Sequence, residues 1–371
     1  MKYLPLLLLI LLSSCKPLND TADYNLFKAV EYLWSQQAPD GGWHSETHGI
    51  LKGGQAYTAF VLYQLLQVPN DFYPVQSAKI DQAVAFIKTH TNEAGALGLA
   101  DPQVLEYPNY ATSYALRALY QLDREPDLQR KMAGYLLSQQ FTEARGIGPE
   151  HPAYGAWGFG EMGIPTGETG HVDLSHTRKV LQALQETEID APEAFEKAQG
   201  FLRLLQKQSN DSRVAESVPF DGGFYFSSVV ADANKAGPLP EGPHFHSYGT
   251  ATCEGILASV AAGVASDDSS RLQPALDWLT AHDTLPYDQA IPAGSNWRNV
   301  LVYYHFWVRA EVYDQFGGPN GWQQEMRDSL AIWQEYNGRF RNLNGAANKE
   351  DDPLVATSMM VDVLLRTRSG Q

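Results

Sequence analysis

Carboxylates, histidines and large aromatics cluster where apolar segments of this chain begin and in its longest loops. They are the residue types that acid–base chemistry needs. Glu161, Glu168, Asp173, Glu254 and Asp351 lie in long loops or at segment starts, and Tyr303, Tyr304, His305 and Trp307 form one aromatic run. Two carboxylates facing each other across an aromatic cavity can act as acid and base in glycoside cleavage, with Tyr and Trp stacking on the sugar. Histidine adds a group that changes charge near neutrality. The candidate catalytic side chains are Asp173, His176, His246, Glu254 and His305. A plainer role stands beside each: Asp173 as a helix N-cap, Glu254 as a capping or solvated residue, the aromatics as core. No nucleophile elbow, phosphate loop or dinucleotide fingerprint is present.

The elements that must position these residues are six copies of a helix pair. The copies begin near Ala29, Ala83, Met132, Ala198, Ala275 and Met326. In the first, Ala29, Tyr32 and Leu33 share a helix face, Gln36 and Gln37 follow, and Asp40-Gly41-Gly42-Trp43 makes a turn. A second helix follows near 55–67, with Tyr57, Phe60, Val61 and Leu65 at helical spacing. Second helices are expected again near 110–122, from Asp173, near 248–263, from Trp297 to about Phe316, and from Asp351-Asp352-Pro353 to about Arg366. Pro just inside a helix start, with Asp before it, is a favourable N-terminus. A pair with one apolar face cannot bury that face alone, so the copies must stack. Loops are longest in the third and fourth units, which hold His151, His171, His244 and His246. Extra loop length on repeats usually maps to a functional face.

The N-terminus reads as a targeting segment. Lys2 precedes an apolar run, Leu4 to Leu12, that is too short to span a bilayer. Leu12-Ser13-Ser14-Cys15 resembles the lipobox of bacterial lipoproteins, whose signal is cleaved before a Cys that becomes lipidated. That resemblance implies a signal peptide over 1–14, a lipidated tether over 15–24 and one domain over 25–371. It places the protein in the cell envelope, held to the membrane through Cys15. Lys16 follows the Cys, with no Asp to mark inner-membrane retention, so the outer membrane is the expected address. Cys15 and Cys253 are the two cysteines. A lipidated Cys15 leaves Cys253 without a disulfide partner. The net charge of −16 argues against nucleic acid and anionic lipid surfaces, which need a basic face. With 19 Tyr and 8 Trp, the chain is rich enough in aromatics to line a cavity as well as a core.

The turn Gln36-Gln37-Ala38-Pro39-Asp40-Gly41-Gly42-Trp43 resembles the QW repeat of squalene–hopene cyclases and their relatives. Gln139-Gln140 before Trp157, and Asp221-Gly222-Gly223-Phe224, are degenerate copies. Asp173-Leu174-Ser175-His176-Thr177, Tyr248-Gly249-Thr250-Ala251-Thr252 and Glu350-Asp351-Asp352-Pro353-Leu354-Val355-Ala356-Thr357 resemble inner-helix openings of squalene-cyclase-like and prenyltransferase-repeat proteins. The resemblance spans nearly the whole mature chain. It implies an all-α (α/α)6 toroid, six inner helices round a cavity and six outer ones about them. In this frame Gln36, Trp43 and Phe224 belong to the scaffold.

The same resemblance implies an apolar or isoprenoid-like ligand in the cavity. The DxDD acid of proton-initiated cyclases is missing, and no Lys/Arg cluster offers a diphosphate site. Zinc is the one cofactor it raises, as in protein prenyltransferases, with His244, His246, Cys253 and Asp173 as candidate ligands and His171 or His176 beside them. The Asp-x-Cys of that site is absent, because Ala251 stands two residues before Cys253. Three roles follow: a pocket, enzymatic or derived from an enzyme, for an apolar molecule; a carbohydrate-active envelope enzyme using cavity carboxylates; or a non-catalytic toroid that binds a protein partner.

Overall fold

Helical spacing of apolar residues yields helices at nearly every expected position in the computed structural model of the chain. It describes residues 21–101, 104–240, 242–265, 270–282, 285 and 287–368. The expected signal segment and Cys15 lie outside the described residues. The helices are α1 (Thr21–Ser35), α2 (Gln55–Leu66), α3 (Ser77–His90), α4 (Pro108–Gln121), α5 (Pro126–Ser138), α6 (Leu174–Glu186), α7 (Pro192–Leu205), α8 (Gly249–Ala261), α9 (Leu272–Ala281), α10 (Trp297–Val300), α11 (Tyr303–Phe316), α12 (Trp322–Trp333) and α13 (Pro353–Arg366). No strand forms among the described residues. None of these helices is long and apolar enough to cross a membrane.

Helices α2, α4, α6, α8, α11 and α13 touch in that order, and α13 returns to α2. They form a closed inner ring, with α1, α3, α5, α7, α9 and α12 as the outer layer. The fold is therefore an all-α (α/α)6 toroid. Inner helices are buried nearly all round, as helices enclosed on every side must be. Outer helices bury one stripe; α7, for example, buries Ala198, Phe201, Leu202 and Leu205.

The turns after α1, α3, α5, α7 and α12 hold the ring together through hydrogen bonds that repeat from unit to unit. The turn residue at position 43, 97, 157, 224 or 340 donates its N–H to a buried Thr on its own inner helix: Thr58, Thr112, Thr177, Thr252 or Thr357, at 2.9–3.1 Å. The Trp43 and Trp157 indoles each donate back to the outer helix, to Leu33 O and Leu136 O at 2.7 Å. The scaffold glutamine is the second of each pair, Gln37 and Gln140, and not Gln36 or Gln139. Gln37 Nε2 donates to Gly41 O in its own turn and to Lys79 O at the start of the next outer helix, both at 2.9 Å. Gln140, Gln206 and Gln334 repeat this bridge, and Gln334 reaches Asn25 O on α1, which closes the ring. Only the second Gln is placed to span two units; Gln36 Nε2 bonds its neighbour Ser35.

The turn glycine is required by geometry. Gly338 has φ +92° and a Cβ there would lie 2.2 Å from Lys28 O on α1. The left-handed backbone and the close helix approach both exclude a side chain.

Two boundaries depart from expectation. Helix α1 begins at Thr21, within the stretch expected as tether. The single helix expected from Trp297 to Phe316 breaks after Val300. The fully buried Glu350 carboxylate accepts the N–H groups of Val302, Tyr303 and Tyr304 at 2.9–3.0 Å, so a residue of the next unit caps the restart.

Candidate active site in the central cavity

The N-terminal ends of the inner helices open into a cavity of about 490 Å³. Most of its wall is aromatic or aliphatic, with Phe60, Tyr110, Phe159, Phe226, Tyr304 and Met359 among the large contributors. One sector is polar: His171, Asp173, Ser175 and His176, at the start of α6.

Asp173 is the N-cap of α6, and Oδ1 accepts from His176 N at 2.8 Å. That is the bland role expected of it. The same buried carboxylate also accepts from His171 Nε2 at 2.7 Å and from His176 Nδ1 at 3.0 Å. Burial alone would push its pKa up, but the two imidazoles and their hydrogen bonds outweigh burial and hold it well below the usual carboxylate range. An ionised Asp173 can only accept, so the neutral His176 ring carries its proton on Nδ1 and presents Nε2 as an acceptor. Nε2 has no partner among the described residues, and His176 lines the cavity. His171 stacks on Phe159 at 3.9 Å, and Glu161 Oε1 accepts its backbone N–H at 3.1 Å. A bridge between Gly158 and Val172 pins the long third-unit loop in place behind both. The result is a carboxylate–imidazole pair aimed into an aromatic cavity, the arrangement of a general base.

Below this sector a hydrogen-bonded chain runs into the core. Ser175 Oγ meets Tyr304 OH at 2.7 Å, and Tyr304 OH donates to Glu254. Arg178 Nη1 donates to Glu254 Oε1 at 3.0 Å, and its Nη2 pairs with Glu311. Burial raises the Tyr304 pKa and neighbouring Glu254 raises it further, so the phenol stays protonated. Burial opposes ionisation of Glu311, yet Arg178 and Lys179 hold its pKa at about 2.

Two lysines mark the mouth. Lys235 Nζ lies 3.5 Å from the centre of the Trp297 ring, and burial lowers its pKa to about 8. Lys349 Nζ lies 5.1 Å from Tyr107. Tyr107 and Lys349 both have left-handed backbones, φ 47° and 62°. Such strain in residues with side chains tends to gather at ligand sites.

The other expected residues are elsewhere. Glu254 is fully buried behind Tyr304, not on the cavity wall. His305 is buried on α11 with Nδ1 3.1 Å from Oγ1 of Thr250, a lining residue, and is not itself part of the cavity wall. His246 is exposed on its loop. His244 is buried against Tyr225. Of the aromatic run, only Tyr304 lines the cavity: Tyr303 packs on Trp333 and Phe340, and the Trp307 indole donates to Asp362. Asp351 pairs with His48 at 2.8 Å, and Glu168 is exposed.

The zinc set does not assemble. Burial raises the Cys253 thiol to about 12, disfavouring the thiolate that zinc needs. Asp173 is committed to His171 and His176, and no three His, Cys, Asp or Glu side chains converge as metal ligands among the described residues. Lys235, Lys349 and Trp297, with Asp232 exposed beside them on the cavity lining, carry no mark in the sequence, because nothing local identifies a loop residue as part of a mouth formed by distant units.

No protein-family model matches the sequence, and no curated protein does. Solved structures do match. The type II terpene cyclase MstE from Scytonema superposes with a TM-score of 0.52 at 14% identity, covering 93% of this chain and 97% of that one. The family 76 glycoside hydrolase (mannosidase) Bt3792 from Bacteroides thetaiotaomicron gives a TM-score of 0.56 at 11% identity, covering 94% and 98%. The α-1,6-mannanase GH76A of Salegentibacter gives 0.52 at 11% identity, covering 93% and 98%. At these identities the likeness shows the fold and not the activity. The chain is thus an (α/α)6 toroid, the architecture it shares with type II terpene cyclases and family 76 glycoside hydrolases.

Proposed function

We propose that this protein is a lipoprotein of the bacterial cell envelope, held to the outer membrane through Cys15, that takes an apolar, isoprenoid-like molecule into its central cavity. His176, oriented by Asp173, accepts a hydrogen bond or a proton from the polar end of that molecule. The observation that carries this reading is the composition of the cavity, greasy and aromatic in its depth with one Asp–His sector there and its charged groups at the mouth. A cavity of this size and lining is typical of small-molecule sites. The terpene cyclase MstE, with the same fold, has been captured with geranylgeranyl dihydroxybenzoate. Cyclisation started by a protonated carboxylic acid is not the chemistry supported, since Asp173 is held ionised. The carbohydrate reading is less well supported, although the mannanases share the fold. Cleavage of a glycoside needs a protonated acid and a second carboxylate across one bond. Here Asp173 is committed to two histidines, Glu254 is sealed behind Tyr304, and Asp232 is exposed at the mouth.

Equilibrium binding of geranylgeraniol to the purified protein tests the cavity. Wild type is expected to bind in the micromolar range or tighter, and Ala233→Trp, which fills the cavity from its buried loop position, to lose at least about tenfold. Equal binding by the two proteins would remove the reading. For the anchor, the mass of the mature protein should include acyl chains that vanish in Cys15→Ser; an unmodified mature wild type would refute lipidation.

A further inference from the structure

A second pocket, of about 200 Å³, lies at the opposite end of the inner ring. The Tyr304–Glu254–Arg178–Glu311 chain and the Trp307 ring separate it from the central cavity. The charged groups of its wall are almost all satisfied. Arg117 pairs with Glu186, Glu311 with Arg178, and Arg366 with both Asp314 and Asp362. Four side chains are left over: Gln64, Gln182, Lys179 and Tyr114, whose buried OH makes no hydrogen bond among the described residues. The amides of Gln64 and Gln182 make no hydrogen bond among the described residues, and the Oε1 atom of each is buried. Gln64 is 2% exposed. Lys179, 1% exposed, has no hydrogen bond or ion pair among the described residues; its Nζ lies over the Trp307 ring at 4.0 Å. Leaving a buried polar group unsatisfied costs about 1–3 kcal/mol, so the Gln64 and Gln182 oxygens and the Tyr114 hydroxyl on one pocket wall mark a place where something polar binds.

We infer that this pocket is a ligand site for a small polyhydroxylated molecule of monosaccharide size, whose hydroxyls pair with the Gln64 and Gln182 amides and one of whose oxygens accepts from Lys179. An apolar occupant would leave both amides unpaired. An amide offers a donor and an acceptor, and a hydroxyl answers both. The aromatic walls, Tyr114 and Trp307, suit the apolar face of a sugar ring. The volume admits a single ring and not an oligosaccharide. The site is independent of the central cavity and of the ligand proposed for it.

A sugar and a sugar acid share this chemistry, and titration calorimetry of the full chain separates them. The panel is glucose, mannose, galactose and glucuronate. At least one is expected to bind, and Gln182→Leu and Lys179→Met are each expected to weaken it about tenfold or more. Ala233→Trp, in the other cavity, should leave it unchanged, so failure here does not touch the central-cavity reading, nor the reverse. Burial, and then Arg178, lowers the Lys179 pKa to about 7, while Glu311 and Glu254 raise it and Arg117 lowers it. A bound carboxylate would raise it again. Glucuronate binding at about pH 8 should therefore take up a proton in wild type and not in Lys179→Met, seen as a buffer-dependent heat. Glucose-like affinity without proton uptake assigns the neutral sugar instead. If Lys179→Met does not fold, Gln64→Leu takes its place. No binding by any panel member, or binding unchanged by both substitutions, would overturn the proposal.

Discussion

Replacing Arg178 with Met is expected to destabilise the protein by about 3–5 kcal/mol, the largest effect of any single change in the core. Arg178 is fully buried and is the partner of two carboxylates, Glu254 and Glu311. Removing it leaves both charges in the centre of the toroid, with Glu254 Oε2 already unpartnered. The loss belongs to the stranded charges and not to a shortage of packing, since Met fills much of the same volume. The triple variant Arg178→Met, Glu254→Gln, Glu311→Gln should therefore recover most of the stability. Denaturant midpoints at neutral pH measure both. A single variant within about 1 kcal/mol of wild type would show that the network is solvated and the explanation wrong. The pH dependence carries the same signature. The folded pKa of Glu311 is depressed to about 2, so its contribution is fully present above the ordinary glutamate value of 4.5 and is lost as pH falls towards 2. That acid-labile increment should be absent in the variant.

Asp173→Asn is expected to leave the toroid folded and to reverse the sense of one hydrogen bond at the cavity wall. Asn can still cap α6, because its oxygen can accept the His176 N–H. Its Nδ2 must then donate where a carboxylate accepted. His171 Nε2, which bonds Oδ2 alone, becomes an acceptor, and its neutral ring carries its proton on Nδ1, whereas His176 Nδ1 can still donate to the remaining oxygen. The ¹⁵N shifts of the His171 ring should report this exchange of tautomers, and geranylgeraniol, whose hydroxyl donates to His176 Nε2 in wild type, should bind about fivefold more weakly, because a neutral Asn no longer polarises that ring. Unchanged shifts would mean that Asp173 does not set the tautomer. Asp173→Ala removes the cap and both charge-assisted bonds together, and about 2–3 kcal/mol of stability should go with them. The folded pKa of Asp173 is depressed, so its contribution is present above the ordinary aspartate value of 3.8 and is lost only as pH falls below the usual carboxylate range.

Much of the fold was legible because its determinants are local. Helical spacing around Ala29, Ala83, Met132, Ala198, Ala275 and Met326 needs no knowledge of distant contacts. The Gln, Gly and aromatic residues of each turn lie within a few positions of the helix end they serve. Asp173 and Asp352 were legible as helix starts for the same reason, since an N-cap bonds N–H groups two or three residues ahead. The break before α11 was not legible, because its cap, Glu350, comes from the next unit. The choice between Gln36 and Gln37 was not legible either. It depends on which side chain can reach Lys79, in another unit.

Residue spacing alone carried the repeated helix pairs and the N-cap at Asp173; the closed ring followed from the family resemblance, and His176 was one candidate among several. Packing between units sets Glu254 against Arg178 and not a ligand, keeps His246 and Cys253 apart, and leaves Lys179 over Trp307. The physical reason is range. Turns and caps are short-range hydrogen bonds written in adjacent residues, whereas the two cavities are made where six inner helices converge. Which side chain each helix turns inward there is set by its neighbours in space.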